Sequence, residues 1–319
     1  MSTSALMTLR LEIAIAFGFV YFVWGSTFVA IRYSAPLLNP ALLSGLRFLI
    51  ASIVLIGILA LRRQSLRMPS AEFAKVASLG VLMFSINTVL VNYASRTVPA
   101  GFTALVLATI PLMVAILESL LPGVRRMDAI GSTGIFTGFL GIWLLLSSNA
   151  SGKLTSGSST KACSALLVAA AAWAVGSVLA HRFTLTSPPL VLCAWQMLVG
   201  GVVNLTIGVA TGGLAVANWN GSLWGAVLYL AIFGSLASYT AYLFLLRNVP
   251  VSLVSTYAYV NPVVAVVLGS TIQHEPLHGR QWVAMGVVIS SVVVVLWRLN
   301  IRRGNNLQTD YATAGIAEQ

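Results

Sequence analysis

The chain has 319 residues, of which 58% are hydrophobic and only 8% are charged, with a formal net charge of +11. Soluble domains contain roughly 25% charged residues, so this composition excludes an ordinary soluble protein and favours one that crosses a membrane repeatedly. The positive charge does not indicate nucleic acid, because the basic residues lie in short loops between apolar runs. Cys163 and Cys193 fall within apolar runs, so we interpret them as packing residues and expect no disulfide, metal site or cofactor.

Apolar runs long enough to span a bilayer recur along the whole chain. A helix needs about 20 apolar residues to cross the hydrocarbon core. The first run has no small-residue cleavage site behind it, so we interpret it as a retained span rather than a signal peptide. We predict an all-α integral membrane protein with ten transmembrane helices, over residues 13–33, 41–61, 73–93, 98–119, 129–147, 162–181, 188–209, 222–245, 250–271 and 281–298.

The loops between these helices predict their orientation. With the N-terminus in the cytoplasm, twelve Lys and Arg residues fall on the cytoplasmic side and five on the outer side. This asymmetry follows the positive-inside rule and predicts that both termini are cytoplasmic. The Ser- and Gly-rich stretch Ser148–Thr160 separates two groups of five helices, and we expect residues 299–319 to form a polar cytoplasmic tail.

The two groups of helices share a sequence repeat. Arg96-Thr-Val-Pro99 matches Arg247-Asn-Val-Pro250, 151 residues further on. We therefore predict two repeats of five helices, over residues 13–147 and 161–298. Because five is odd, the second repeat enters the membrane in the opposite sense. Inverted repeats of this kind place a substrate site near the bilayer midplane, between the two halves.

Each repeat contains an apolar helix interrupted by proline, namely Val98–Leu117 at Pro111 and Thr256–Gly269 at Pro262. A proline removes one backbone hydrogen bond and displaces the carbonyl four residues earlier. In lipid such a break is tolerated only against protein or a water-filled cavity. We predict that the two prolines are hinges where the halves cross, and that helices one, three, four, six, eight and nine surround a cavity, with helices five and ten peripheral.

Several motifs carry a family resemblance. They are Tyr21-Phe-Val-Trp-Gly-Ser-Thr-Phe-Val-Ala-Ile-Arg32, Pro40…Gly45-Leu-Arg-Phe48, Ala172-Trp-Ala-Val-Gly-Ser177, Trp195-Gln196, Arg247-Asn-Val-Pro250 and Ser255-Thr-Tyr-Ala-Tyr-Val-Asn-Pro262. The chain resembles the EamA-type branch of the drug/metabolite transporter superfamily, and its YedA-like members most closely, over nearly the whole chain. The resemblance implies ten helices with cytoplasmic termini in the bacterial inner membrane, and export of amino acids or other small metabolites.

Residues on the first two predicted helices are candidates for the cavity wall. Trp24 and Ser26 lie past the middle of the first span, and Trp24 either stacks on substrate or takes part in ordinary helix packing. Arg47 lies roughly 9 Å inside the second span. A charge there costs a few kcal/mol unless it is paired or wetted. Arg47 either anchors a substrate carboxylate, reaches the outer headgroups or forms a structural pair with a helix-end carbonyl, and its counterpart in the second repeat, Gln196, is neutral.

Polar and aromatic residues on other spans complete the candidate cavity. Tyr257 and Asn261 are four residues apart and share one face of the ninth helix. An aromatic and amide face suits amino acids or aromatic metabolites, and hydrogen bonding between helices is the alternative for these residues. The candidates on these spans are Asn87, Tyr93, Trp173, Tyr239, Tyr257 and Asn261.

Acidic residues bear on energy coupling. Glu118, at the inner end of the fourth span, is the candidate proton relay, and a solvated helix-end acid near Arg125 and Arg126 is the alternative. No acid is expected at the midplane, so facilitated diffusion competes with proton antiport. Family halves usually end their fourth helix with a Gly-Glu pair. The second half keeps this acid as Glu275, whereas the first half has Leu121-Pro-Gly-Val124.

The sequence therefore predicts a secondary transporter with a small-molecule substrate and membrane lipid as its partners. No nucleic acid is expected, and a homodimer is an open alternative to a monomer. The chain carries no catalytic, phosphate-loop or metal-ligand motif, so we do not expect an enzyme. A sensor or scaffold that transports nothing is the alternative function.

Overall fold

The protein is helical throughout the part of the chain that the structure describes. The computed structural model describes residues 3–120, 129–148, 157–215, 217, 219–249, 254, 257–274, 279, 282–294 and 297. We label its helices α1 (Thr3–Gly18, Phe19–Val23 and Trp24–Ser34), α2 (Pro40–Leu61), α3 (Ser70–Leu79, Gly80–Ile86 and Asn87–Ala94), α4 (Ala100–Leu107 and Ile110–Ser119), α5 (Ala129–Ser148), α6 (Gly157–Arg182), α7 (Pro189–Ala210), α8 (Gly221–Tyr229, Leu230–Ala237 and Ser238–Asn248), α9 (Tyr257–Ile272) and α10 (Trp282–Val294).

Seven of these helices, α1 to α4 and α6 to α8, are long and apolar enough to cross a membrane. Shorter apolar helices, Val260–Ile272 and Trp282–Val294, lie in α9 and α10. Large apolar side chains project outward from the bundle, as at Phe22, Phe136 and Trp143, which are 62%, 72% and 63% exposed. The prediction of an all-α multi-pass membrane fold is confirmed, and the count of ten spans in two inverted repeats stays a prediction.

Asparagine side chains cap the starts of two helices. Asn39 caps α2, where its Oδ1 accepts hydrogen bonds from Ala41 N at 2.9 Å and Leu42 N at 3.3 Å. Asn220 does the same for α8, accepting from Leu223 N at 2.7 Å. The first turn of a helix has unpaired N–H groups, so a side-chain acceptor there stabilises the helix start.

Glu72, in the first turn of α3, links that helix to the segment before α7. One carboxylate oxygen accepts from the backbone N–H groups of Thr186 and Ser187, both at 2.9 Å. The other oxygen accepts from the Thr186 hydroxyl at 2.9 Å. Glu72 therefore joins the two halves of the chain through hydrogen bonds at one end of the bundle.

Glycines allow α2 and α7, which the sequence repeat predicts to be equivalent helices, to pack along each other. A Cβ added at Gly45 would lie 2.6 Å from Leu205 N, and one at Gly208 would lie 2.7 Å from Leu42 N. Both distances are too short for a real side chain. Small residues let helix backbones approach closely in membranes, so this pair forms a tightly packed centre between the halves.

Within the described residues, three helices contain a π-helical turn, a feature that the sequence did not predict. The turns are Phe19–Val23 in α1, Gly80–Ile86 in α3 and Leu230–Ala237 in α8. A shift of 151 residues, the spacing of the sequence repeat, places the α3 turn on 231–237, within the α8 turn. A π turn inserts one extra residue into a helix and frees backbone carbonyls, and such turns often occur at functional sites.

The two prolines behave differently from each other. The fourth helix is interrupted at Ala108 and Thr109, and Pro111 lies in the first turn of its second part. In contrast, Pro262 lies inside α9, which continues from Tyr257 to Ile272. The helix therefore continues through Pro262, because loss of one backbone hydrogen bond leaves the flanking turns intact, and the role of both prolines as hinges stays a prediction.

Some predicted features lie outside the described residues. These are the tail at 299–319, the segment 121–124, Glu275 and the start of the ninth predicted span at 250–253.

Candidate functional site

A cavity of about 140 Å³ lies in the centre of the bundle, between the two halves. Cavities of about 150 Å³ can take up a ligand the size of benzene. Helices α1 to α4 and α6 to α9 all contribute to its wall, and no described residue of α5 or α10 does. The second helix and α7 were not among the six helices predicted to surround the cavity, although Arg47 and Gln196 were candidates, and they contribute through Arg47, Phe48 and Met197.

The structure brings most of the candidate residues together around this cavity. Arg47 is there, and so are both prolines, Pro111 and Pro262. The other candidates that line it are Trp24, Asn87, Trp173, Tyr239, Tyr257 and Asn261.

Aromatic rings form a continuous series along one wall. Trp24 lies against Tyr242 and Tyr257, with ring centroids 5.6 and 5.3 Å apart. The ring of Tyr239 lies 6.0 Å from that of Tyr242 and 5.7 Å from that of Phe84 on α3, measured between ring centroids. Tilted and edge-on arrangements at these distances are favourable for aromatic pairs. The series crosses from the first half of the chain to the second, so ring faces from both halves are available to a bound molecule.

Phe84 extends the series to α2 and α6. Its ring packs edge-on against Phe48 at 5.0 Å and against Trp173 at 6.2 Å. Phe48 and Phe84 are 2% and 3% exposed, and neither was among the candidates. In an apolar helix a phenylalanine on the cavity face cannot be distinguished from one on a packing face by residue type alone.

Arg47 brings a guanidinium group to the cavity wall. The residue is 8% exposed, and its Nε donates a hydrogen bond to Ser235 Oγ at 2.6 Å. Ser235 Oγ in turn donates to Leu230 O, at the start of the π turn of α8, at 3.0 Å. The π turn thus supplies the hydroxyl that orients the arginine, and Ser235 is a cavity residue that the sequence analysis missed.

Side-chain amides satisfy carbonyls around the cavity. With its nitrogen turned toward α1, Asn261 donates to Val20 O and Tyr21 O, both at 3.0 Å, within the first π turn. Asn87 donates to Ala169 O on α6 at 2.8 Å. These contacts agree with the alternative interpretation of both residues, namely hydrogen bonding between helices. Both side chains also line the cavity.

Four candidates lie away from the cavity wall. Ser26 Oγ donates to Val23 O at 2.7 Å and is 2.5 Å from Tyr229 Oη.

Tyr93 is 42% exposed, whereas its neighbour Asn92 is 2% exposed and lines the cavity. Gln196 is buried against Gly80, and Glu118 lies half-buried near the end of α4.

These features define a class of protein: a helical membrane protein with a central cavity shared by both halves of its chain. The sequence profile of the EamA-like transporter family matches residues 12–147 and again 160–297. The chain belongs to this family, and the predicted resemblance is confirmed. The family and its named relatives are transporters.

Two relatives illustrate the range of similarity. The chain is 37% identical over 279 residues to the uncharacterized inner membrane transporter YedA of Escherichia coli K12, covering 86% of this chain and 88% of that protein. It is 23% identical over 273 residues to an uncharacterized transporter of Archaeoglobus fulgidus, covering 86% and 94% of the two chains. The chain is therefore a multi-pass inner membrane protein of a transporter family.

The fold also matches a solved structure. One crystal structure superposes with a TM-score of 0.64 over 89% of this chain and 96% of the other, at 23% sequence identity. At this level of identity the match shows a shared fold.

Proposed function

We propose that the protein is a secondary transporter that exports amino acids or related small metabolites by alternating access. Its ten helices form two inverted five-helix repeats, and the central cavity is the substrate site. The observation that carries this proposal is the cavity itself, because helices of both halves line it and the lining combines ring faces, amides and one guanidinium. A site between inverted repeats can open to either side of the membrane as one half rocks against the other.

Two further observations support the duplication. The family profile matches once in each half of the chain. The third and eighth helices carry π turns at positions that coincide after the 151-residue shift of the sequence repeat. A π turn at equivalent positions is unusual in unrelated helices, because such turns are rare and mostly isolated.

The transport proposal is tested by a metabolite screen in proteoliposomes that compares wild type with Trp24→Ala. Trp24 lines the cavity and touches two tyrosine rings, so its removal should lower flux at least about tenfold. Phe22→Ala is the matched control, because Phe22 lies two residues away on the same helix and is 62% exposed. Equal flux in wild type and Trp24→Ala would remove Trp24 from the site. No flux of any metabolite would favour the sensor or scaffold.

For coupling, we propose facilitated diffusion ahead of proton antiport. The described part of the chain contains three acids, Glu12, Glu72 and Glu118, and none of them lines the cavity. A proton-coupled carrier usually needs a titratable group near its substrate site. Counterflow with and without a pH gradient distinguishes the two mechanisms. Accumulation driven by the proton gradient would exclude facilitated diffusion, and Glu118→Gln would then identify or exclude the candidate relay.

We also propose that both termini are cytoplasmic and that the protein works as a monomer or a homodimer. Reporter fusions at each terminus test the orientation. Light scattering on the detergent-solubilised protein measures the number of chains in the particle.

A further inference from the structure

The wall of the cavity carries one charge, on Arg47, and no described residue of the wall carries the opposite charge. Arg47 donates from Nε to Ser235, and the structure gives its two terminal amino groups no hydrogen-bond partner among the described residues. Its guanidinium carbon also lies 5.0 Å from the ring centre of Phe48. A buried charge is unfavourable unless it is paired, so this group is suited to receive an anion.

No carboxylate in the described chain is placed to pair with Arg47. Glu12 is exposed on α1, and Glu72 is occupied by backbone N–H groups before α7. Glu118 lies near the end of α4, and the cavity wall does not include it. The described lining therefore has a formal charge of +1.

A bound molecule meets a one-sided electrostatic environment. The amide nitrogens of Asn87 and Asn261 are already committed to backbone carbonyls, and aromatic rings make up much of the remaining wall. A carboxylate gains a charge-assisted, bidentate contact with the guanidinium. An α-ammonium group on the same molecule finds no carboxylate in this lining and is repelled by the arginine.

We propose that the cavity selects organic monoanions, an aromatic or apolar body bearing one carboxylate, over zwitterionic amino acids and over cations. The carboxylate contacts Arg47, and the body lies among the rings of Phe48, Phe84 and Trp173. This inference rests on the cavity being the substrate site of the proposed transporter. It narrows the proposed substrates to the related metabolites that lack an ammonium group.

The test uses three ligands that share a phenyl ring and differ in charge: 3-phenylpropionate, L-phenylalanine and 2-phenylethylamine. Calorimetric binding to the purified protein in detergent at neutral pH avoids passive leakage of the acid through a bilayer. Wild type should bind 3-phenylpropionate at least about tenfold more tightly than phenylalanine, with the amine weakest. Arg47→Gln should reduce this preference to within about threefold, and Arg47→Lys should keep part of it.

One control variant and one feature of the repeat keep the result interpretable. Arg62→Gln removes one charge from the exposed end of α2 and should leave all three affinities unchanged. Glutamine is the residue that the second repeat carries at the position matching Arg47, so Arg47→Gln is compatible with this helix pair.

The proposal and the transport function fail in different ways. Phenylalanine binding as tightly as 3-phenylpropionate, no binding of 3-phenylpropionate, or a preference that survives Arg47→Gln would each overturn the anion proposal. Flux of another metabolite would leave transport intact in that case. Anion-selective binding without flux of any solute would uphold the selectivity and overturn transport.

Discussion

Replacing Asn204 by leucine tests how the π turn of α3 is held against α7. Asn204 is fully buried and does not line the cavity. Its Nδ2 donates to Phe84 O at 2.8 Å, and its Oδ1 accepts from Ser85 Oγ at 2.5 Å. Asn204→Leu keeps the number and branching of the side-chain heavy atoms and removes both contacts. We expect the variant to fold, to be less stable, and to hold the π turn less firmly.

The magnitude follows from the two hydrogen bonds. Interhelical hydrogen bonds in a membrane protein contribute about 0.6 kcal/mol on average and at most about 1.7 kcal/mol. Phe84 O also accepts from Thr88 Oγ1 at 2.8 Å, so that carbonyl stays satisfied after the substitution. The free energy of unfolding should therefore fall by about 1–2 kcal/mol, near the sum of two average contacts. Unfolding in mixed micelles, followed by circular dichroism against the fraction of denaturing detergent, measures this loss.

A double-mutant cycle with Ser85→Ala isolates the side-chain pair. The coupling free energy between the two substitutions should be about 0.6 kcal/mol or more. Thr206→Val is the matched control on α7, because Thr206 is exposed and bonds within its own helix to Val202 O at 2.9 Å. If the Asn204→Leu protein is as stable as this control and shows no coupling to Ser85, the hydrogen bond between the two side chains does not hold the π turn against α7.

Two further substitutions test the packing between the halves. Gly45→Ala should destabilise the protein by about 1–3 kcal/mol, since its Cβ would lie 2.6 Å from the α7 backbone. Gly57→Ala on the same helix should be neutral or stabilising by up to about 1 kcal/mol, because nothing lies within 4 Å of its Cβ. Equal melting temperatures of the two variants would contradict this account. Glu72→Gln should lower the melting temperature by weakening the hydrogen bonds from Thr186. Glu12→Gln, at an exposed site on α1, should leave it unchanged.

The positions of the long helices could be predicted because each depends on the summed hydrophobicity of about 20 residues. One polar residue within such a span changes the sum little, so the position of the helix is still predicted. Helix starts could also be read locally, as at Pro40 after the capping residue Asn39 and at Ala100 after Pro99. The residue types of the cavity wall could be predicted in part, because arginine, asparagine and tryptophan inside an apolar span are conspicuous.

The face on which a residue lies could not be predicted where a helix contains a π turn. An α-helix advances 100° per residue, so one inserted residue rotates everything beyond it by about 100°. Tyr93 and Asn92 lie beyond the π turn of α3, and the structure turns Asn92 to the cavity and Tyr93 outward. Regular periodicity carries no information about such an insertion, so the choice of Tyr93 as a candidate rested on its residue type.

Two similar helix crossings differ in the side chain that they carry. At one crossing between the halves, Arg47 on α2 meets the π turn of α8 at Ser235, and a Cβ at the adjacent Gly234 would lie 3.4 Å from the guanidinium. At the other crossing between the halves, Gln196 on α7 meets the π turn of α3, where a Cβ at Gly80 would lie 2.7 Å from the Gln196 carbonyl oxygen. The second crossing is closed by backbone packing, whereas the first leaves a guanidinium at the cavity. The proposed duplication would relate these two crossings, and because arginine occupies only one of them, the electrostatic potential of the cavity is one-sided.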